Sequence, residues 1–263
     1  MRVPRHILIT GASSGIGAAL ARHYARPGIR LRLAGRDTDR LADVAASCRT
    51  RGAEASAHRL DVRERDATEA WIVEAARDAP IDLLIANAGI SGGTAGHGGG
   101  SSAGEKRGQF DAIFDVNVSG VVNTVEPALR EMLARGHGQV ALMSSLASFR
   151  GFPGAPAYCA SKAMVRVWGE ALRPDYAARG IAVNVICPGY VRSRMTDANS
   201  FPMPFLMDAD RAARRIADGL ARDHARIVFP RRLYWILRSF AALPDPLLDR
   251  IMARLPRKTG SGD

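Results

Sequence analysis

The sequence predicts an α/β fold in which helices cover both faces of one parallel sheet of about seven strands. Short apolar runs typical of strands alternate with segments of helical periodicity over most of the chain. The first run is followed directly by a glycine-rich turn and a helix, which is how a doubly wound sheet begins. With 263 residues, 47% of them hydrophobic, the chain can build one sizeable core, so we treat residues 1–263 as a single domain.

The individual elements follow from two hydrophobic periods. Nearly continuous apolar runs predict buried strands, whereas a helix repeats its apolar face every three to four residues, as Trp71, Ile72 and Ala75 do. The predicted strands are Ile7–Ile9, Leu31–Ala34, Ala55–Leu60, Ile81–Ile85, Gln139–Met143 and Ile181–Ile186. The predicted helices are Ala18–Ala25, Leu41–Cys48, Thr68–Asp78, Ile113–Arg135 with a kink at Pro127, and Ala157–Arg173.

Three segments interrupt this alternation. Ser91–Gly108 is rich in Gly and Ser, and we predict that it is mobile. Val191–Asp208 combines prolines with apolar side chains, which is typical of a lid over a binding site; with the helix after it, the predicted lid region spans residues 191–228. Residues 229–263 place apolar side chains at helical spacing among arginines, which predicts an amphipathic C-terminal helical extension.

The net charge of +11 at pH 7 is carried mostly by arginine. Such a charge suits nucleic acid, an anionic membrane or anionic substrates as partners. Because the arginines are scattered and no nucleic-acid-binding motif is present, we attribute the charge to arginine-rich composition and predict no nucleic-acid partner.

The cysteines indicate a reducing compartment. Cys48, Cys159 and Cys187 are few, odd in number and far apart, so no disulfide framework is predicted. Neither a signal peptide nor an apolar run of membrane-spanning length is visible. We therefore expect a cytoplasmic protein, with peripheral membrane contact left open, and we predict no metal site.

Tyr158 and Lys162 are four positions apart in a predicted helix, so their side chains share one face. An isolated tyrosine titrates near ~10. A cation about 5 Å away, at an effective dielectric of ~20, favours the phenolate by roughly 3 kcal/mol, or about two pKa units. Such a phenol could act as an acid or base. A pair of this kind is usually just two surface residues, so its meaning depends on the rest of the chain.

The glycine-rich turn after the first strand has the sequence Thr10-Gly11-Ala12-Ser13-Ser14-Gly15-Ile16-Gly17. Glycines allow a tight turn and let a pyrophosphate approach the backbone at the N-terminus of the next helix. The Thr-Gly-x-x-x-Gly-x-Gly spacing resembles the short-chain dehydrogenase/reductase family, in its single-domain branch with a Rossmann-like fold.

Further motifs of that family occur in order between Ile7 and Ser193. Asn87-Ala88-Gly89 follows the fourth strand, with Ala86 in place of the usual first asparagine. The separation from Tyr158 selects Ser145 over Ser144 as the family's serine. The remaining matches are Asn117, Tyr158 with Lys162, Pro188-Gly189, and Ser193 in place of a threonine.

The resemblance implies a catalytic group of four residues. Tyr158 is the general acid in carbonyl reduction and the base in alcohol oxidation, while Ser145 donates a hydrogen bond to the substrate oxygen. Lys162 lowers the pKa of the tyrosine and binds the nicotinamide ribose, and Asn117 holds a water that links Lys162 to solvent. The implied cofactor site comprises Thr10, Gly11, Ser13, Ser14, Gly15, Ile16, Gly17, Arg36, Asp61, Val62, Asn87, Ala88, Gly89, Tyr158, Lys162, Pro188, Gly189, Val191 and Ser193.

Cofactor selectivity is predicted at the end of the second strand. NAD-selective enzymes place an acidic residue there, but this chain has Gly35 followed by Arg36, which suits a 2′-phosphate and favours NADP(H). NAD(H) stays open if Arg36 is only a solvated loop residue and Asp37 makes the selection. Asp61 resembles the family's adenine-contacting aspartate, and its alternative role is a helix N-cap.

The substrate is predicted only by class. The apolar lid residues are Phe201, Met203, Phe205, Leu206 and Met207, which favour a lipophilic ketone or alcohol unless they pack as core. The extension either packs against core or a dimer interface, or lies on an anionic membrane surface. Family members are often homodimers or homotetramers. We expect an NADP-dependent oxidoreductase; a non-catalytic NADP-binding sensor or scaffold is the alternative, which the retained Tyr158 and Lys162 disfavour.

Overall fold

Seven parallel strands form one sheet in this computed structural model, which describes residues 3–92, 105–197, 202–240 and 243–253. The order across the sheet is β3-β2-β1-β4-β5-β6-β7, which confirms the predicted doubly wound fold. The strands are β1 His6–Thr10, β2 Arg30–Gly35, β3 Glu54–Arg59, β4 Leu83–Ala86, β5 Gly138–Met143, β6 Ile181–Pro188 and β7 Arg226–Phe229.

Helices cover both faces of this sheet. Alternate residues of β1 serve different layers: Ile7 and Ile9 pack with Leu20 of α1, whereas Leu8 packs with Val125 of α5. The helices are α1 Gly15–Tyr24, α2 Thr38–Arg49, α3 Arg65–Asp78, α4 Arg107–Phe114, α5 Gly120–Arg135, α6 Pro156–Ala177, α7 Arg194–Asp197, α8 Ala209–Ala221, α9 Arg231–Phe240 and α10 Asp245–Ala253. No helix among the described residues is both long and apolar enough to cross a bilayer.

The strand order sets the position of the site. β1 pairs with β2 on one side and with β4 on the other, so the crossover connections leave in opposite directions from this point. In open α/β sheets, ligands bind at the carboxyl ends of the strands beside such a switch. Thr10 ends β1 and Ala86 ends β4, so the glycine-rich turn and the Asn87-Ala88-Gly89 turn meet there.

The predicted helix Ile113–Arg135 is built from three pieces. α4 begins earlier, at Arg107, and a π-helical turn, Asp115–Ser119, joins it to α5. Pro127 lies inside α5, which continues through it as one helix. The hydrophobic pattern missed the π-helical turn because its flanks keep a helical period. Of the segment predicted to be mobile, residues 93–104 lie outside the described residues.

The C-terminal boundaries differ from the prediction in one respect. β7 ends at Phe229, which is buried beside β6, so Phe229 belongs to the sheet and the helical extension starts at Arg231. The predicted lid region contains α7 and α8 as well as irregular backbone, and Val191 forms a bridge with Met207 that joins the two ends of the lid segment.

Candidate active site

The glycine-rich turn is locked to the end of β4. Asn87 donates from Nδ2 to the carbonyl oxygens of Thr10 and Gly11, at 3.0 and 3.1 Å. In return, Thr10 Oγ1 accepts hydrogen bonds from the backbone N–H groups of Asn87 and Ala88, at 3.1 and 3.2 Å. Gly11 has φ +65°, and a Cβ there would lie 2.8 Å from the Ala88 Cα, so no other residue fits.

The N-terminus of α1 faces this turn with unpaired donors. Ser14 is its N-cap, but the Ser14 side chain makes no capping hydrogen bond, and the first turn carries no acidic residue. A Cβ at Gly17 would clash with the Gly11 carbonyl, so α1 can start this close to the turn only with glycine there. Backbone N–H groups at a helix N-terminus attract anions. The residues present therefore fit a dinucleotide pyrophosphate.

Ser193 lies on the opposite side of the turn. A Cβ at Gly15, where φ is +54°, would come within 3.1 Å of the Ser193 Cβ. The buried Thr196 holds Ser193 in place. Thr196 Oγ1 accepts a hydrogen bond from the Ser193 N–H at 2.8 Å and donates to backbone oxygens in the same turn. Sequence reasoning missed Thr196, whose signal was a second hydroxyl three positions after Ser193.

Asn117 is fully buried at the centre of the π-helical turn. Its Oδ1 accepts a hydrogen bond from the Ile90 N–H at 2.8 Å, and its Nδ2 donates to the Ile90 carbonyl at 2.9 Å and to Ser161 Oγ at 3.1 Å. π-Helical turns occur often at functional sites because the extra residue re-aims one side chain. Here that side chain fixes the backbone after Gly89.

Lys162 reaches the same point from α6. Its side chain is buried, and Nζ donates to the Met143 carbonyl at 2.9 Å. A Cβ at Gly89 would lie 3.2 Å from both Lys162 Nζ and Asn117 Oδ1, so these two side chains converge over Gly89. Burial lowers the pKa of Lys162 to about 8, against a smaller opposing effect of Cys187.

Ser145 lies close enough to Tyr158 for hydrogen bonding by its side chain to lower the pKa of the phenol. Ser145 follows β5 as the N-cap of a 3-10 turn, Leu146–Ser148, in which its Oγ accepts from the Ala147 N–H at 3.1 Å. Ser144 instead donates from Oγ to the Lys162 carbonyl, at 2.7 Å. The structure therefore brings Ser145, rather than Ser144, to the phenol.

The pKa of Tyr158 moves in the direction opposite to our expectation. Burial raises it to about 12, although the hydrogen bond with Ser145 acts to lower it. Lys162 Nζ lies 6.0 Å from the centre of the Tyr158 ring and is directed at the Met143 carbonyl. In this arrangement the loss of hydration decides the direction of the shift, and Lys162 is not among the groups that change the pKa of Tyr158.

The selectivity positions lie beside the turn at the end of β2. Arg36 is exposed, whereas Asp37 caps α2, accepting from the Arg40 N–H at 3.1 Å and pairing with the Arg40 guanidinium. A Cβ at Gly35 would make ordinary contact with Ser13, at 3.5 Å. The carboxylate of Asp37 is therefore already engaged, and Arg36 is exposed to solvent.

Asp61 and Val62 follow β3. Asp61 accepts hydrogen bonds from Arg63, which lowers the pKa of its carboxyl group. The N-cap of α3 is Glu64, so the alternative role of Asp61 as a helix N-cap is wrong. Val62 is buried against α5, where a Cβ at Gly120 would lie 2.5 Å from it.

The Pro188-Gly189 turn is held by the end of β7 and the proline that follows it. Gly189 donates from its N–H to the Phe229 carbonyl at 2.7 Å, and a Cβ there would lie 3.0 Å from Pro230. Tyr190, the next residue, lies near enough to Tyr158 to contribute to its raised pKa. Sequence reasoning missed Tyr190, although its place directly after the Pro-Gly turn was a signal. Within the described ranges, no three His, Cys, Asp or Glu side chains cluster as metal ligands.

Comparison with known proteins gives the family. The model of the short chain dehydrogenase family matches residues 5–202. An uncharacterized oxidoreductase of Myxococcus xanthus is 38% identical over 255 residues, covering 95% of this chain and 97% of that protein. An uncharacterized oxidoreductase of Mycobacterium tuberculosis is 36% identical over 242 residues, covering 88% and 93%.

Solved structures agree. A short-chain dehydrogenase from Sphingobium yanoikuyae in complex with NADPH has a TM-score of 0.77 at 26% identity, with 96% of each chain covered. A short chain dehydrogenase/reductase from Burkholderia phymatum in complex with NAD has a TM-score of 0.81 and the same coverage; at 24% identity this likeness concerns the fold. The chain belongs to the short-chain dehydrogenase/reductase family, as its motifs predicted. It is an NAD(P)-dependent oxidoreductase of that family.

Proposed function

We propose that the protein is an NADP(H)-dependent enzyme that interconverts a lipophilic carbonyl compound and its secondary alcohol. The observation that carries this proposal is the convergence of three side chains: Ser145 lies close enough to Tyr158 to act on its pKa, and the buried Lys162 places Nζ 6.0 Å from the centre of the Tyr158 ring. The bound nicotinamide supplies hydride donation or acceptance. The chain supplies orientation, hydrogen bonds and one proton.

In the reduction direction, Tyr158 donates its phenolic proton to the carbonyl oxygen while Ser145 donates a hydrogen bond to that oxygen. Burial holds the pKa of Tyr158 near about 12, so the phenol carries its proton at neutral pH. In the oxidation direction Tyr158 reacts as the phenolate and receives the alcohol proton, and the lysine ammonium stabilises that phenolate.

Asn117 acts in this proposal by holding Ile90 and, through it, the Gly89 turn beside Lys162. Its side-chain amide binds Ile90 and Ser161, which supports a positioning role. The water relay from Lys162 that the family resemblance implies remains part of the proposal.

NADP(H) is proposed over NAD(H) because of the charges at the end of β2. The Asp37 carboxylate is bound to Arg40 at the cap of α2, which leaves the exposed Arg36 to meet a 2′-phosphate beside Ser13. The rest of the proposed cofactor site is the glycine turn, Asp61 and Val62, the Asn87-Ala88-Gly89 turn, Tyr158 with Lys162, and Pro188 to Ser193.

A lipophilic substrate is proposed from the lid. Phe205 and Leu206 are exposed, at 47% and 37%, which is unusual for such side chains unless they face a ligand or partner. Met207 is buried in the core, so it packs instead of meeting substrate. Phe201 lies outside the described residues. Tyr190 adds an aromatic surface next to Tyr158.

Oxidation of NADPH tests this proposal, with phenanthrenequinone, acetophenone and androstanedione as lipophilic carbonyl probes. Turnover of at least one of them, lost on substitution of Tyr158, supports an enzyme. Tight NADPH binding without turnover of any carbonyl or alcohol substrate would favour the non-catalytic sensor.

We further propose that the protein is cytoplasmic and homo-oligomeric. We also propose that the C-terminal extension packs against the rest of the chain. Leu237 and Leu248 are buried, and Leu233 would touch a Cβ at Gly189. Val167 of α6 is 54% exposed, which suits a contact between subunits. Light scattering would test the oligomer: a monomeric mass at micromolar concentration contradicts it.

A further inference from the structure

The N-terminus of α6 is capped from a distant part of the chain. Glu105 accepts a hydrogen bond from the Ala157 N–H on Oε2 at 2.5 Å, and one from the Tyr158 N–H on Oε1 at 3.3 Å. The N-cap residue, Ala155, has no side-chain oxygen to serve them, and Pro156 has no N–H. The carboxylate therefore satisfies two donors that the helix itself cannot pair.

Besides α6, Glu105 also lies close to Gly92. A Cβ at Gly92 would lie 3.5 Å from Glu105 Cγ and 3.1 Å from Nε2 of the buried Gln109. Gly92 follows the Gly89-Ile90 turn that Asn117 binds, so Glu105 lies between that turn and α6. Its carboxylate thus connects the backbone of Tyr158 to the side of the cleft that carries Gly89.

We infer that Glu105 is a positioning residue for proton transfer: its bidentate contact with α6 fixes the backbone of Tyr158 and thereby the place of the phenol relative to Ser145. The inference rests on the proposed function, in which Tyr158 is the proton donor. Glu105 is not among the groups that shift the pKa of the phenol; it acts through the Tyr158 N–H. Displacement of a catalytic group by about 1 Å costs roughly 100-fold in rate.

Three variants test how the two carboxylate oxygens of Glu105 affect the rate of hydride transfer. Glu105→Ala removes both acceptors, and we expect the hydride-transfer rate constant to fall roughly 10- to 100-fold. Glu105→Gln retains one acceptor oxygen, so it should recover part of that loss. Glu126→Ala, at an exposed position of α5, is the matched control and should leave the rate unchanged.

Single-turnover stopped flow measures the rate directly. Enzyme premixed with an equal concentration of NADPH is mixed with saturating phenanthrenequinone, or with whichever of the three probes the wild type reduces, and NADPH fluorescence is followed through the first turnover. Loss of folded protein lowers the amplitude, whereas a misplaced Tyr158 lowers the rate constant. A normal rate constant at reduced amplitude in Glu105→Ala would mean that Glu105 is only a structural cap, and would overturn the inference.

Hydrogen exchange tests the contact independently of turnover. In Glu105→Ala, a peptide covering residues 156–160 should exchange at least several-fold faster than in the wild type or Glu126→Ala. Unchanged exchange would show that the contact does not hold α6, and would also overturn the inference. If the wild type reduces no probe, the proposed function fails, and the exchange result alone decides whether Glu105 holds Tyr158.

Discussion

Asn117 binds the backbone of Ile90 with both ends of its side-chain amide. Oδ1 accepts from the Ile90 N–H at 2.8 Å, and Nδ2 donates to the Ile90 carbonyl at 2.9 Å. Asn117 lies at the buried centre of the π-helical turn, and Ile90 is buried as well. One side chain therefore satisfies both polar groups of a buried peptide segment, directly beside the Gly89 turn where Lys162 lies.

Replacement of Asn117 by leucine should destabilise the fold because it leaves two buried backbone groups without partners. We expect a loss of roughly 3 kcal/mol in the free energy of unfolding, measured by urea denaturation. Asn123→Leu is the matched control on α5, since Asn123 donates only to carbonyls near the surface. Equal losses for the two variants would contradict the special role of the Ile90 contact.

Substitution of Lys162 by methionine should stabilise the protein while abolishing activity. Burial holds the pKa of Lys162 at about 8, against an ordinary value of 10.5, so its charge costs about 3 kcal/mol at pH 7. The lost hydrogen bond to Met143 offsets about 1 kcal/mol of this. A net gain of about 2 kcal/mol at pH 7 is expected by urea denaturation, whereas Lys106→Met, at an exposed position, should change little.

The difference in stability between the wild type and Lys162→Met should depend on pH. Between pH 8 and 10.5 the unfolded wild type retains a proton on Lys162 that the folded protein has released, so wild-type stability rises with pH across this window. The advantage of Lys162→Met is therefore greatest below pH 8 and disappears as the pH approaches 10.5. A constant difference from pH 7 to 10 would refute the assignment of the shift to Lys162.

Arg36→Ala should weaken NADPH binding by roughly 10- to 100-fold and leave NADH binding nearly unchanged, because it removes a charged contact to the 2′-phosphate alone. Gly35→Asp should reverse the preference, since a Cβ at this position meets Ser13 and Leu41 at ordinary contact distance. Fluorescence titration measures both dissociation constants, with Arg77→Ala, exposed on α3, as the control. Tighter binding of NADH than of NADPH by the wild type would contradict the role assigned to Arg36.

Substitutions in α9 distinguish packing from membrane contact. Leu237→Asp places a charge in the core and should cost several kcal/mol, roughly 3 or more. Trp235→Glu, at a side chain 65% exposed, should leave stability unchanged. The proposed packing role also predicts no flotation of the full chain with anionic liposomes; flotation that Trp235→Glu abolishes would establish membrane contact instead.

Local spacing was enough to predict where Tyr158, Lys162 and Ser145 lie in the fold, and their catalytic roles stay a prediction. Tyr158 and Lys162 fall on one face of α6 because a helix repeats every 3.6 residues, and Ser145 follows because a parallel strand ends where its site begins. Neither conclusion needed a long-range contact. The glycines of the turn were recognisable for the same reason, since strand, turn and helix are contiguous.

Other features depended on tertiary packing. Glu105 meets Tyr158 across 53 positions of chain, and no local pattern encodes that contact. The raised pKa of Tyr158 reflects burial, which the sequence does not display, whereas Lys162, which the sequence does display, is not among the groups that shift it. The π-helical turn around Asn117 was hidden because one extra residue hardly alters a hydrophobic period.

The most direct test of the proposed mechanism is Tyr158→Phe, which removes one hydroxyl and leaves the ring in place. NADPH binding should stay within about twofold of the wild type, while the steady-state kcat for an accepted ketone falls at least about 100-fold. Tyr176→Phe, also on α6 but packed away from the site, should retain full activity. Equal kcat values for the wild type and Tyr158→Phe would contradict the assignment of Tyr158 as the proton donor.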